Sequence, residues 1–197
     1  MRGWLVVVTG ASGSVYGLRL VEQLLTAGYA VTLFLTRSGR EVMAREAVLA
    51  VPETPRDAAE AILRFMELDA GLPLQVVASE GLLDAVSSRP VLAEGMVVCP
   101  ASMGFCGSMA AGLASDAPSR VAAAMLEERR PVVLVPRESP LTLVHLRNLT
   151  TLAEAGALIV PADPSFERRP SGADDLVDFV VGTVLDQIGV QHDLYAR

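Results

Sequence analysis

A turn rich in glycine and serine, Thr9–Ser14, directly follows an apolar run near the start of the chain. Glycines in a strand-to-helix turn let backbone N–H groups approach a phosphate, and the helix N-terminus adds a partial positive charge. The glycine spacing differs from the dinucleotide pattern G-x-G-x-x-G. We therefore predict that this turn binds a phosphorylated ligand; the alternative is a tight turn that binds nothing.

A second candidate follows the next predicted strand, where the chain continues Thr36, Arg37 and Ser38. Enzymes that bind NAD often place Asp or Glu at this point to hold the ribose hydroxyls. The chain has no acid here and contains no lysine at all, whereas short-chain dehydrogenases use a Tyr and a Lys in catalysis. These residues favour contact with a phosphate or a ring over binding of a dinucleotide.

Two further segments also follow predicted strands. Small residues from Cys99 to Phe105 leave room for a flat ring, with Ser102 and backbone amides free to bond its edge; close packing alone is the alternative. Arg137 and Glu138 place a cation beside a carboxylate. Such a pair could hold an anion and move a proton, or it could merely form a salt bridge at the start of a helix.

The elements that must position these residues are predicted from hydrophobic periodicity. Short β-branched runs alternate with helical patterns, which is typical of a parallel sheet covered on both faces. Strands are predicted at Leu5–Thr9, Ala30–Thr36, Leu74–Ala78, Met96–Cys99, Val132–Val135 and Leu158–Val160. The chain is therefore expected to form a single doubly wound α/β domain over residues 1–197, Rossmann- or flavodoxin-like, with about six mostly parallel strands. Ligands of such sheets bind at the carboxyl ends of the strands.

Helical patterns lie between these strands. Ser38 is expected to cap the second helix, and segment 79–95 shows no clear pattern. The other helices are predicted over Val15–Leu25, Arg56–Leu68, Arg120–Glu128, Leu141–Ala155 and Leu176–Ile188. A stretch of small residues follows the fourth predicted strand, from Ala101 to Ser115, and no helix is predicted in it.

Composition excludes several classes of function. The net charge is −7, which argues against a nucleic-acid surface, and the lack of lysine excludes pyridoxal phosphate enzymes and P-loop NTPases. Cys99 and Cys106 have no metal-ligand spacing and are expected to be reduced thiols of a cytoplasmic protein. No apolar run reaches membrane-spanning length. The hydrophobic content of 51% fits a large core or a surface that faces a second subunit.

Taken together, the chain resembles the UbiX-type flavin prenyltransferases from Val6 to about Ile188. The closest stretches are Thr9–Gly13, Tyr16–Leu20, Glu128–Pro131, Val133–Glu138 and Asp174–Val177. The resemblance implies FMN as cofactor, no metal, and transfer of a dimethylallyl group from dimethylallyl monophosphate. It also implies that the product, prenylated FMN, serves a partner decarboxylase. Members are homo-oligomers, typically trimers assembled into dodecamers, with the flavin near subunit contacts.

The resemblance also assigns roles to residues of this chain. The flavin-binding positions are Gly10, Ala11, Ser12, Ser38, Ser102, Met103, Gly104, Phe105 and Arg137. The positions assigned to catalysis are Ser12, Glu46 and Glu138.

The chain departs from the family at positions that serve the prenyl phosphate. Glu127 stands where the family usually has Lys, Glu167 where it has Tyr, and Thr183 where it has a basic residue. Nearby arginines that could substitute for these donors are Arg120, Arg168 and Arg169. One alternative is therefore an FMN-binding protein that has lost prenyl transfer. An FMN-dependent decarboxylase is less favoured, because segment 41–47 lacks the His that those enzymes use.

Overall fold

The computed structural model describes residues 2–78, 81–82, 93–114, 116–167 and 169–195. The strands are β1 (Gly3–Val8), β2 (Ala30–Leu35), β3 (Leu74–Val77), β4 (Ala93–Ala101), β5 (Val132–Pro136) and β6 (Leu158–Ile159). The helices are α1 (Ser14–Thr26), α2 (Arg37–Glu46), α3 (Pro55–Phe65), α4 (Met103–Ala110), α5 (Ala117–Glu127), α6 (Leu143–Glu154) and α7 (Ala173–Gln187). The strands form one parallel sheet in the order β3-β2-β1-β4-β5-β6, which confirms the predicted fold class.

The central strand β1 shows why the sheet needs helices on both faces. All six of its residues are buried, as expected for a strand of a parallel sheet. Val6 and Val8 pack on one face with α1, α3 and α7, while Leu5 and Val7 pack on the other face with α4 and α5. The alternation of side chains along the strand therefore divides the core into two layers.

The order of the strands also fixes where a ligand can bind. β1 pairs with β2 on one side and with β4 on the other. The strands that follow β1 therefore extend the sheet first on one side of β1, through β2 and β3, and then on the other side, from β4 to β6. A crevice forms between the carboxyl ends of two such strands. Here it lies between the turn that follows Val8 and the segment that follows Ala101.

One prediction about helices was wrong, and one helix was not predicted. Thr36, not Ser38, caps α2, because the extended backbone of Thr36 lets its hydroxyl accept the N–H of Gly39 at 3.0 Å. The small-residue stretch from Ala101 to Ser115 contains α4, which Ser102 caps by accepting the N–H of Phe105 at 3.2 Å. Small residues of α4 are spread evenly around the helix, so its sequence shows no amphipathic pattern. Most of segment 79–95 lies outside the described residues.

Within the described ranges, no helix is both long and apolar enough to cross a membrane.

Candidate functional site

The four predicted loops meet at the carboxyl edge of the sheet. A Cβ added to Gly10 would lie 2.6 Å from the Cβ of Ser38, so the turn after β1 is in direct contact with the first turn of α2, which follows β2. A Cβ added to Gly13 would lie 4.0 Å from the Cγ of Arg137, which brings the loop after β5 to the same place. The close approach at Gly10 leaves no room for a side chain. These contacts confirm that the loops converge.

Thr9 joins the two sides of the crevice. Its buried hydroxyl donates to the carbonyl of Pro100 at 2.7 Å and accepts the N–H of Ser102 at 2.7 Å. Thr9 was predicted only as the first residue of the glycine-rich turn, without a role of its own. The sequence feature that could have indicated this role is a polar side chain at the end of an otherwise apolar strand. Thr9 holds the segment after β4 against the turn after β1 and so sets the width of the crevice.

The carboxylate of Glu46 lies at the N-terminus of α1. Its Oε2 accepts the N–H groups of Gly13 at 2.9 Å and Ser14 at 3.0 Å, and the hydroxyl of Ser14 at 3.1 Å. The Ser12 hydroxyl also bonds to this carboxylate. α1 has no side-chain cap of its own, because its N-cap residue is Gly13 in a left-handed conformation with φ 103°. Glu46 therefore supplies the anion that the start of this helix attracts.

The surroundings of Glu46 fix its charge state. Partial burial raises the pKa of the Glu46 carboxyl, but the hydrogen bonds from Ser12, Gly13 and Ser14 outweigh this and hold the pKa below its ordinary value. Glu46 is therefore a carboxylate at neutral pH and can accept a proton. Of the residues that the resemblance assigned to catalysis, Ser12 and Glu46 are in contact.

The segment from Ser102 to Phe105 contributes mainly backbone. The side chains of Met103 and Phe105 are buried in the core, and Gly104 is exposed. Ser102 is half-buried and faces both Thr9 and the first turn of α4. A ligand at this point would meet the main chain and Ser102, not the side chains of Met103 or Phe105.

Arg137 and Glu138 extend from the end of β5 into solvent. Glu138 accepts the N–H of Ser139 at 3.1 Å. The Arg137 guanidinium lies near Tyr16: burial raises the pKa of Tyr16, and the Arg137 charge partly opposes that rise. The Tyr16 ring would lie 2.7 Å from a Cβ on Gly13. Tyr16 therefore forms one wall of the site, and no local sequence pattern predicts this role.

The residues expected to bind the prenyl phosphate do not lie together within one chain. Glu127 ends α5 just before β5 begins, so it lies at the edge of the sheet opposite Arg137, while Arg120 is exposed in the first half of α5. Glu167 and Arg169 are exposed in the connection between β6 and α7. Arg168 lies outside the described residues.

Thr183 is engaged within its own chain. Its hydroxyl donates to the carbonyl of Phe179 at 2.9 Å and lies 3.2 Å from the Tyr195 hydroxyl. The C-terminal segment thus packs on α7 at this position, and a Cβ on Gly182 would lie 2.6 Å from the Tyr195 ring. Thr183 therefore anchors the C-terminal segment.

Both cysteines are unsuited to nucleophilic chemistry. Burial raises the pKa of Cys99 well above its ordinary value and raises the pKa of Cys106 to about 11. Neither forms a disulfide. In the described part of the chain, no three His, Cys, Asp or Glu side chains are placed to hold a metal ion.

Comparisons with known proteins agree with this geometry. The family described as Flavoprotein matches residues 1–185. Flavin prenyltransferase UbiX of Halalkalibacterium halodurans is 36% identical to the chain, over 98% of this chain and 91% of that protein. The solved structure of AnUbiX (PadA1) in complex with FMN and dimethylallyl pyrophosphate has a TM-score of 0.77 and 29% identity, covering 100% of this chain and 93% of that one. A dodecameric FMN-dependent UbiX-like decarboxylase from Escherichia coli O157:H7 has a TM-score of 0.76 and 31% identity, covering 96% of each chain.

Proposed function

Since this chain belongs to the flavoprotein family, we infer that it is a flavin prenyltransferase, which transfers a dimethylallyl group to reduced FMN. The similarity to flavin prenyltransferase UbiX extends over 98% of the chain. The observation in the structure that supports this function best is the crevice in which four loops meet beside the bonded pair Ser12 and Glu46. A proton acceptor is thus fixed at the edge of a ligand site.

We propose that FMN binds in this crevice. Gly10 contacts Ser38 so closely that a side chain at position 10 would clash. We propose that backbone N–H groups of this turn bind the phosphate. The start of α1 already carries Glu46, so we place the phosphate beside Gly10, Ala11 and Ser38 and the ring towards Ser102 and Arg137. Reduced FMN supplies the ring atoms to which the dimethylallyl group becomes attached.

The residues of the chain handle protons around that ring. Glu46 is ionised and bonded to Ser12, so it can accept a proton directly or through the Ser12 hydroxyl. Glu138 lies on the loop after β5, beyond Arg137. We propose Ser12, Glu46 and Glu138 as the groups that donate and accept protons during transfer. Arg137 would hold the flavin, with its guanidinium positioned near Tyr16.

A single chain leaves the reacting group open to water. Ser12, Arg137 and Glu138 are exposed, whereas an allylic cation needs an enclosed site. Glu127 and Arg137 also lie at opposite edges of one sheet, so they can serve one site only if they come from different copies. We therefore propose a homo-oligomer, trimeric or dodecameric, with the flavin near the contact between copies. The related E. coli protein is dodecameric.

The proposal also covers the prenyl donor and the use of the product. We propose dimethylallyl monophosphate as donor; the AnUbiX structure holds dimethylallyl pyrophosphate. A phosphate ester carries a charge of about −1.5 to −2 near neutral pH, so Glu127 and Glu167 must turn away from it while Arg120 and Arg169 approach. We propose that the product passes to a decarboxylase that needs prenylated FMN, in the cytoplasm.

One experiment tests the activity directly. The protein is incubated anaerobically with reduced FMN and either dimethylallyl monophosphate or dimethylallyl pyrophosphate. The mass of the recovered flavin is then measured by mass spectrometry. A flavin heavier by one dimethylallyl group is expected, and oxidised FMN serves as the control. Calorimetry with FMN, FAD and NAD is run in parallel, and FMN is expected to bind most tightly.

An FMN-binding protein without transferase activity is the second candidate. It is favoured by the engagement of the Thr183 hydroxyl with Phe179 and Tyr195, and by the carboxylates at positions 127 and 167. Tight binding of FMN with no change in its mass, with either donor, would establish this alternative. Preference for NAD over FMN would overturn both candidates.

A further inference from the structure

Gly13 is the residue through which the start of α1 holds Glu46. Its N–H donates to Oε2 of Glu46 at 2.9 Å, and the N–H of Ser14 donates to the same atom at 3.0 Å. Both hydrogen bonds form with Gly13 in a left-handed conformation, at φ 103° and ψ 35°. Glycine adopts many backbone conformations at similar energy, so its presence alone does not select this one. A neighbouring contact has to select it.

The ring of Tyr16 supplies such a contact. A Cβ added to Gly13 would lie 2.7 Å from Cδ2 and 2.8 Å from Cε2 of the ring, so the ring covers the side of Gly13 on which a side chain would project. The Tyr16 N–H also donates to the Gly13 carbonyl at 3.0 Å. Tyr16 therefore contacts Gly13 with both its backbone and its ring, and a change in the Gly13 conformation would disturb these contacts.

The Tyr16 ring is itself held in place. It is half-buried and packs against the core layer that contains Val8. The next residue, Gly17, lies against the end of β4, since a Cβ there would be 2.4 Å from the carbonyl oxygen of Cys99. The first turn of α1 is thus fixed against the sheet, and the ring cannot move away from Gly13 with the helix.

The hydroxyl of Tyr16 has different surroundings from the ring carbons. Burial raises the pKa of this hydroxyl, and the charge of Arg137 partly opposes the rise. The atoms of Tyr16 that lie closest to the added Cβ of Gly13 are ring carbons. Replacement of Tyr16 by Phe therefore separates the effect of the ring from that of the hydroxyl.

We propose that Tyr16 is a positioning residue for Glu46, because its ring holds Gly13 in the conformation that directs two N–H groups at the Glu46 carboxylate. Without the ring, Gly13 gains access to conformations in which these hydrogen bonds are broken. Glu46 then loses partners that keep it ionised and fixed beside Ser12. The effect on turnover rests on the proposed function, whereas the effect on Gly13 does not.

Loss of these hydrogen bonds also changes the acid side of the pH profile. Hydrogen bonds to a carboxylate favour its charged form and lower its pKa. When they break, the pKa of Glu46 rises towards its ordinary value. The proton acceptor is then lost at a higher pH as the solution is acidified. A tyrosine that only filled space in the core would leave this limb of the profile in place.

The test compares variants with and without the ring. Tyr16→Ala removes the ring, and Tyr16→Leu removes it but keeps apolar volume for the core. Tyr16→Phe keeps the ring and removes only the hydroxyl. Tyr29→Ala is the matched control, because Tyr29 packs against the same core layer but directly precedes β2, at the opposite edge of the sheet. Thermal melting shows that each variant is folded.

Two properties are measured. Deuterium exchange at the amides of Gly13 and Ser14 is followed by mass spectrometry in the ligand-free protein, so this measurement needs no activity. It should be about tenfold faster in both ring-free variants, because exchange reports local opening. Their kcat for prenylated FMN should fall by about tenfold or more, and its acid limb should move to higher pH. Tyr16→Phe should restore the slow exchange and the acid limb, and Tyr29→Ala should change neither.

Unchanged exchange at Gly13 in the ring-free variants would overturn the proposal. Equally fast exchange in Tyr29→Ala would also overturn it, since the core would then be loosened in general, and so would fast exchange in Tyr16→Phe, which would assign the effect to the hydroxyl. Faster exchange with an unmoved acid limb would break the link to Glu46. If the natural protein makes no prenylated FMN, the proposed function fails, while the exchange rates still decide whether Tyr16 holds Gly13.

Discussion

Replacement of Glu46 by Gln tests whether this carboxylate takes part in the reaction or only stabilises α1. Gln keeps the length of the side chain and one acceptor oxygen, so the N–H groups of Gly13 and Ser14 retain a partner. The change removes the negative charge and the capacity to accept a proton. We therefore expect different magnitudes for stability and for turnover.

The expected loss of stability is small. A charge at an exposed helix terminus contributes about 0.3–1 kcal/mol, so the variant should lose about 0.5 kcal/mol. Loss of one general base typically lowers a rate by about 10²–10⁴, equivalent to about 3–5 kcal/mol in the barrier. A large fall in kcat with nearly unchanged stability and FMN affinity would therefore identify a proton acceptor. Ser12→Ala should change kcat in the same direction.

The contribution of the Glu46 charge to the free energy of unfolding should also depend on pH. Because the pKa of Glu46 is lower in the folded chain than its ordinary value of about 4.3, its stabilisation is fully present above that value. It is lost as the pH falls through the folded pKa. The difference in melting temperature between the natural protein and the variant should thus exist at pH 7 and disappear in acid.

The assay combines three measurements: kcat for prenylated FMN by mass spectrometry, the Kd of FMN by calorimetry, and the melting temperature. Glu41→Gln is the matched control, since this carboxylate lies on the same helix and pairs with exposed Arg37 at 3.3 Å. Unchanged turnover of the Glu46 variant would refute the proposed role. So would a large loss of FMN affinity with normal kcat, which would make Glu46 a flavin-binding residue instead.

Three further predictions concern stability and the donor site. Asp178→Asn should lower the free energy of unfolding, measured in urea, by about 3 kcal/mol, because it breaks the buried ion pair with Arg19. A loss under about 0.5 kcal/mol would contradict this and show that solvent screens the ion pair. Val48→Gly should raise the free energy of unfolding by about 1 kcal/mol by removing a left-handed β-branched residue, and a fall would contradict this. Glu127→Lys with Glu167→Tyr should tighten binding of dimethylallyl monophosphate in calorimetry without changing FMN affinity. No gain, with efficient transfer by the natural protein, would mean that these positions do not face the donor.

The convergence of the four loops was predictable from the sequence. Apolar β-branched runs such as β1 indicate strands that are buried on both faces, and parallel strands all end at the same edge of the sheet. Knowledge of where each strand ends is therefore enough to bring Gly10, Ser38, Ser102 and Arg137 together. The contacts of Gly10 and Gly13 confirm this convergence.

The parts of the site that local patterns miss depend on long-range contacts or on evenly distributed small residues. Glu46 serves as the anion for α1, although it lies 32 residues from Ser14, and no local pattern shows that pairing. The cap of α2 was assigned to Ser38 because two hydroxyl residues are close together, and the backbone conformation of Thr36 decides between them. α4 escaped prediction because its small residues give no apolar stripe, although Ser102 marks its start.

The bond between Thr9 and Pro100 has a consequence for the order of events during protein synthesis. Its two residues lie 91 positions apart in the chain, so the crevice cannot close until β4 has left the ribosome. The pairing of Glu46 with Ser14 spans only 32 positions and can form well before that. Because contacts between distant segments form slowly, the nascent chain should complete the layer of β1, β2 and α1 first. Flavin capture, which also uses Arg137, would then begin only after more than about two thirds of the chain has been made.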